Sequence, residues 1–330
     1  MLFLCPLALV ACPPPGEIMA TPVSPRTFGD WVVGCDNALR CKATALGPEA
    51  DPFDVPLASV ERDPGPGGAV RVTISGQREI AAPISITVDA RTVARGGTAE
   101  GRFAGAQALG IAMAFAKGTR ASIAMAGATT PLSLKGAAAA LRYIDDRQQR
   151  AGTMGALVAR GSAPDASAPR PTLPVVRLVQ TAEAPATLSP ALIASMRKTA
   201  DCEPIAVPSM AQVEAYALGG GRTLAIVPCG LGAYQSWSAI YVVTGGRAVP
   251  ALFDVKIYDV AEPVPVLTSA GFERGILTSY AKGRGLGDCG IGQTFVWDGE
   301  RFRLTERDEM PQCRGSTELI PTWRARVVAP

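Results

Sequence analysis

Hydrophobic and polar positions alternate with a period of two through much of this chain. From Phe28 the pattern predicts short strands: Trp31-Val32-Val33 runs into Cys35, and Cys41 to Leu46 runs out. Val70, Val72 and Ile74 alternate with Arg71 and Thr73, and Ile84, Ile86 and Val88 with Ser85 and Thr87, as half-buried strands do. Residues 120–125 read as a further strand. Two stretches break the rhythm. Residues 104–116 are Ala-rich and predict a short helix stopped at Gly118. Residues 136–150 predict a second helix, with Leu141 and Ile144 inward and Asp145, Arg147 and Arg150 solvated.

"GSAPDASAPRPTLP", residues 161–174, holds four prolines and little that packs, so it reads as an extended linker. Beyond it, Ser189 is placed to cap a helix whose first residue is Pro190, ending near Thr199. A meander follows: residues 212–218, the Gly219-Gly220-Gly221 turn, residues 223–229, then 236–243 with Trp237, Ala239, Tyr241 and Val243 on one face. In "TFVWDGERFRL", Asp298-Gly299 predicts a two-residue hairpin turn that pairs Phe295 with Phe302. The expected fold class is mainly β with short helices (α+β) in two domains. A β-sandwich-like domain over 27–150 leads through a Pro/Ala-rich linker, 151–174, to an antiparallel β-meander over 175–330.

Composition adds exclusions. Of 330 residues 48 % are apolar but only 6 % aromatic, so Ala, Val and Leu must fill the core. Net charge is +3, and both signs are spread along the whole chain, so no basic face announces nucleic acid. Histidine is absent. That removes Ser-His-Asp and Cys-His catalysis, histidine bases and His-ligated zinc.

"MLFLCPLALVAC" carries an apolar run the length of a signal-peptide core, far short of the roughly 18 residues a membrane helix needs. Leu9-Val10-Ala11-Cys12 resembles a lipobox, which makes Cys12 the candidate lipidation site and residues 13–25 a tether. Residues 1–26 are read as leader and tether; cleavage after Ala20 is the rival. Export leaves Cys35, Cys41, Cys202, Cys229, Cys289 and Cys313, which allow 15 pairings. No C-x-x-C occurs, so structural disulfides are expected rather than a redox or zinc site. Local closure, Cys35–Cys41, Cys202–Cys229 and Cys289–Cys313, is the economical expectation; Cys202–Cys313 with Cys229–Cys289 stays open.

Other chemistry is sparse. Ser195-Met196-Arg197-Lys198 has the S-x-x-K spacing of penicillin-recognising enzymes, but Ser195 falls mid-helix and no K-T-G or S-D-N follows. "KGRGLGDCGIG", residues 282–292, is Gly-rich yet precedes a strand rather than a phosphate-binding helix. Asp145-Asp146 and residues 306–309 read as solvated charge, and Trp237 and Tyr241 as core. No catalytic, cofactor-binding or metal-binding residue is assigned.

"FGDWVVGCDNALRC", "LAIVPCGLGAYQSW" and "GLGDCGIGQTFVWDGERFRL…CRG" together resemble the bacterial domain-of-unknown-function family 1176. The first half, from "FGDW" to "TTPLSLKGAAAAL", is also similar to the invasion-associated locus B family. These resemblances imply an exported, disulfide-stapled protein and no particular activity. The expected function is therefore a binding or adaptor module of the periplasm or cell envelope. Its partner would be an envelope protein or cell-wall component, with membrane contact through the Cys12 anchor alone. The alternative is an envelope hydrolase using carboxylates or the Ser195–Lys198 pair.

Overall fold

Sequence alternation becomes sheet in most of the places expected. The computed structural model describes residues 19–329 apart from 54, 77–79, 81, 180, 182–185, 258–262 and 317; residues 1–18, which hold Cys12 and most of the candidate leader and tether, lie outside the described residues. The first half comprises β1 (Arg26–Phe28), β2 (Trp31–Cys35), β3 (Cys41–Ala45), β4 (Leu57–Arg62), β5 (Val70–Ser75), β6 (Ile84–Val88), β7 (Arg91–Gly96), β8 (Arg102–Ala104), α1 (Gly105–Lys117), β9 (Ala121–Met125), β10 (Ala128–Leu132) and α2 (Ala137–Arg147). A six-stranded antiparallel sheet runs β1-β2-β3-β4-β5-β8, and a four-stranded one runs β10-β9-β6-β7. The inward residues of β5 and β6 are Val70, Val72, Ile74, Ile84, Ile86 and Val88, all buried. They meet Ile111 and Phe115 of α1 and Leu141 and Ile144 of α2 in one core.

The second half comprises β11 (Val175–Arg177), α3 (Pro190–Thr199), β12 (Glu214–Gly219), β13 (Arg222–Leu231), β14 (Ser236–Thr244), β15 (Arg247–Pro250), β16 (Val266–Thr268), β17 (Gly271–Glu273), β18 (Ile276–Lys282), β19 (Gly290–Trp297), β20 (Phe302–Met310), β21 (Ile320–Arg324) and β22 (Arg326–Val328). One meander runs β12-β13-β14-β15, with β16 also on β14; another runs β17-β18-β19-β20-β21. β11 and β22 pair in parallel. The α3 cap is as expected: Leu192 N donates to Ser189 Oγ at 3.3 Å.

Three details differ from expectation. The β19–β20 hairpin pairs Trp297 with Phe302 and Phe295 with Leu304, two residues away from the two-residue-turn register. The Asp298 carboxylate accepts from Glu300 N and Arg301 N, building an Asx-type four-residue turn instead. Asp145 and Arg150 are not solvated; both are 0 % exposed. Asp145 accepts from the backbone N–H groups of Leu157, Val158 and Ala159 at 2.7, 2.8 and 3.1 Å. Arg150 reaches Asp165, Gln148 Oε1 and Gly65 O. Those bonds fold residues 151–168 back onto the first half as a strap, with Ala156, Leu157 and Ala168 buried. The segment expected to be an open linker is therefore packed over its first part. Its Pro and Ser content disguised this, because the partners that hold it are the two charges misread as surface.

The halves meet where β21 packs on β2 and β3. Val32, Leu46, Met310 and Ile320 share a small apolar cluster with Cys289. Gly34 permits the approach: a Cβ there would stand 2.7 Å from Ile320 Cγ2. Across the junction the Asn37 side-chain amide accepts from Arg324 N at 2.8 Å and donates to Arg324 O at 3.0 Å. Among the described residues, no helix is long and apolar enough to cross a membrane.

A candidate charged groove at the junction

Pleating puts every second residue of a strand on one face. On the outward face beside the junction this raises Lys42 from β3, Glu61 from β4, and Glu306 with Asp308 from β20. Arg40 precedes β3, and Glu318 and Arg324 flank or close β21. Together with Trp323 they line an open groove of about 380 Å³. Opposite charges sit across neighbouring strands, Lys42 opposite Glu61 and Glu61 opposite Arg71, a favourable cross-strand arrangement.

Most of these charges are paired. Glu61 accepts from Arg40 and, at 2.6 Å, from Arg71; Arg71 also grips Asp63 at 2.5 and 2.8 Å. Lys42 pairs with Glu318, and Arg324 with Asp36. Burial works to raise the Glu61 pKa, but the Arg71 and Arg40 contacts outweigh it and hold the carboxyl below its usual range. Asp308 goes the other way. Burial, then the neighbouring charges of Glu306 and Asp36, push its pKa up against the partial relief from Lys42 and Arg324. The lining sets three cations, Arg40, Lys42 and Arg324, against four carboxylates, Glu61, Glu306, Asp308 and Glu318. The groove is net acidic in a chain whose total charge is +3.

Residues 306–309 are accordingly not uniform solvated charge. Glu306 is exposed, Asp308 is half-buried, and Glu309 is 9 % exposed with Arg307 at 3.2 Å. Sequence reading missed the groove because its walls come from positions near 40, 61 and 306–324. The local signal was the charged outward face of β3 and β4.

The other candidates are scattered. Ser195 and Lys198 are both exposed on α3, and the Ser195 carbonyl accepts from the Thr199 hydroxyl at 2.9 Å. Tyr241 is core, donating to Met196 O at 2.8 Å, and Trp237 packs beside it. The Gly-rich 282–292 loop is tied by Arg284 to Asp288, whose carboxylate also accepts from Gly315 N at 2.7 Å. Disulfides join Cys35 to Cys41, Cys202 to Cys229, and Cys289 to Cys313, with Cα separations of 4.0, 4.2 and 4.8 Å. Three such bonds point to an oxidising, extracytoplasmic environment.

Residues 25–330 match the family described as Protein of unknown function (DUF1176). The chain belongs to that family. Among curated proteins it is similar to the uncharacterized protein YpfG of Escherichia coli (strain K12), 29 % identical over 198 residues. That match spans 55 % of each chain, so this chain covers about half the length of that relative. Among solved structures it matches invasion associated protein B from Bartonella henselae at 16 % identity and a TM-score of 0.28. That match covers 38 % of this chain and 99 % of that one. A likeness at that score carries no argument. The family's description names no activity.

Proposed function

We propose that this protein is an exported, two-domain binding or adaptor module of the cell envelope. In this reading it holds an ammonium or guanidinium group of an envelope partner in the acidic groove between its halves. The observation that carries the reading is the surplus of carboxylates there, with Glu306 and Asp308 left over once the ion pairs are made. A cation seated between them would offset the burial and the Glu306 charge that together raise the Asp308 pKa.

Export is supported by the disulfides and the signal-like residues 2–11. Ala20 is buried against the second half, its N–H donating to Asp254 O at 2.8 Å. A mature chain beginning at Cys12 keeps that contact, whereas cleavage after Ala20 loses it. Intact-mass analysis of the cell-envelope product should therefore find a lipid-modified Cys12; an unmodified start at Thr21 would refute the anchor.

A photo-crosslinking side chain in place of Leu319, which borders the groove, tests the binding role in intact cells. An adduct with an envelope component that disappears in Glu306→Gln/Asp308→Asn supports the reading. An adduct indifferent to that pair removes the acidic groove from the account.

The same carboxylates support a second reading, an envelope hydrolase. A carboxyl whose pKa is pushed up by burial and by a neighbouring carboxylate, as that of Asp308 is, is a starting point for general acid–base chemistry. Soluble fragments released from purified cell wall by the wild type but not by Asp308→Asn would favour it.

A further inference from the structure

A second site lies on the first half, away from the groove. Arg62 closes β4 and is 3 % exposed, and its Nε and Nη1 have no hydrogen-bond partner among the described residues. It lines a cavity of about 270 Å³ between the β4–β5 turn and the strap, together with Gly67, Gly68, Leu109, Ala156 and Arg160. The other charges here are committed. Arg150 spends its guanidinium on Asp165, Gln148 and Gly65. Asp165 also accepts from Gly67 N at 3.0 Å. Asp145 is occupied by three backbone N–H groups. Arg160, exposed at the mouth, bonds the Met154 carbonyl and Met113 Sδ, neither of them an anion.

Three arginines thus surround two aspartates, and the most buried cavity-lining cation has donors unspent. Burial, followed by the nearness of Arg150, pushes the Arg62 pKa down to about 10, still charged at neutral pH. Asp165 lines the same cavity and, with Asp145, partly offsets the cost of burying Arg62, but neither bonds its Nε or Nη1. Three arginines against two aspartates leave one positive charge over, which an oxyanion balances while supplying acceptors. Glycines along one wall let the ligand approach the backbone closely.

We propose that this cavity binds a small oxyanion, a phosphate or carboxylate group, with Arg62 as its buried partner and Arg160 as its guide at the mouth. The cavity is larger than one phosphate, so the group belongs to a small acid or to a short acidic end of a larger molecule.

Calorimetric titration of the full chain with sodium phosphate, and separately with sodium acetate, against sodium chloride of matched ionic strength tests this. Saturable one-to-one binding of either anion is expected; phosphate alone identifies a phosphoryl ligand, and acetate binding a carboxylate one. Loss of a charge-assisted contact should weaken binding by about tenfold or more in Arg62→Met and by about threefold in Arg160→Ala. Circular dichroism reports whether Arg62→Met is folded; if it is not, Arg160→Ala decides. No binding of either anion to the wild type, or binding unchanged in the folded variants, overturns the proposal.

Discussion

The two halves close their cores by different means. In the first, among the described residues, the buried set is Ala, Val, Ile and Leu with the Cys35–Cys41 pair and with Trp31, Phe103 and Phe115 as large rings. Small side chains leave the edge of such a core to be covered, and the strap 151–168 covers it through Asp145, Arg150 and Asp165. In the second, Phe295, Trp297, Phe302 and Trp323 fill the centre, Phe253 packs edge-on to Phe295 at 4.9 Å, and two disulfides close the loops. Both halves carry staples, Cys35–Cys41 in the first; what separates them is the buried polar latch of the first and the packed rings of the second. The latch is the part that leaves a charged cavity beside it, so the architecture and the proposed anion site share one cause.

The largest expected effect lies in the aromatic half. Trp297→Ala should cost about 4 to 5 kcal/mol, since a large buried ring is lost from contact with Phe302, whose centroid is 5.2 Å away. Denaturant titration followed by circular dichroism measures it; a loss near 1 kcal/mol would mean the rings are not the keystone. For the latch, Arg150→Met should cost about 4 kcal/mol, because a fully buried guanidinium that bonds Asp165, Gln148 and Gly65 is lost. Limited proteolysis should then cut within 151–168, and equal resistance to the wild type would refute the latch.

The staples come next. In the loop-entropy view, replacing Cys202 and Cys229 together removes about 3.6 kcal/mol and Cys35 with Cys41 about 2.4 kcal/mol, because the first closes the longer loop. Equal losses would show that loop length is not what separates them. The smallest effect belongs to the groove. Asp308 has a folded pKa above its unfolded one, so its ionisation disfavours the folded state as pH rises through that window. Asp308→Asn should raise the melting temperature slightly at neutral pH and leave it unchanged near pH 3, where the carboxyl is protonated in both states. A lower melting temperature at neutral pH would contradict the cost of burying that charge beside Glu306.

Much of the fold was legible because it is local. Alternation gave β5, β6 and β14, the Ser189-Pro190 pair gave the start of α3, and Gly118 marked the end of α1. What escaped depends on partners far along the chain. Asp145 and Arg150 look like the polar end of an amphipathic helix, and only the strap's backbone N–H groups and Asp165 reveal them as buried. The β19–β20 register turned on Asp298 accepting two backbone bonds, an interaction that outweighed the Asp-Gly turn preference. The groove unites positions more than 250 residues apart, such as Lys42 and Glu318, and neither stretch signals the other.

The central functional claim is that the junction groove recognises a cationic group. Its most direct test is calorimetric titration of the full chain with a short lysine-rich peptide and with a glutamate-rich peptide of equal length, in the wild type and in Glu306→Gln/Asp308→Asn. The account predicts saturable binding of the cationic peptide alone, weakened about tenfold by the double substitution through loss of charge-assisted contacts. Preference for the acidic peptide, or cationic binding that ignores the substitution, would contradict it.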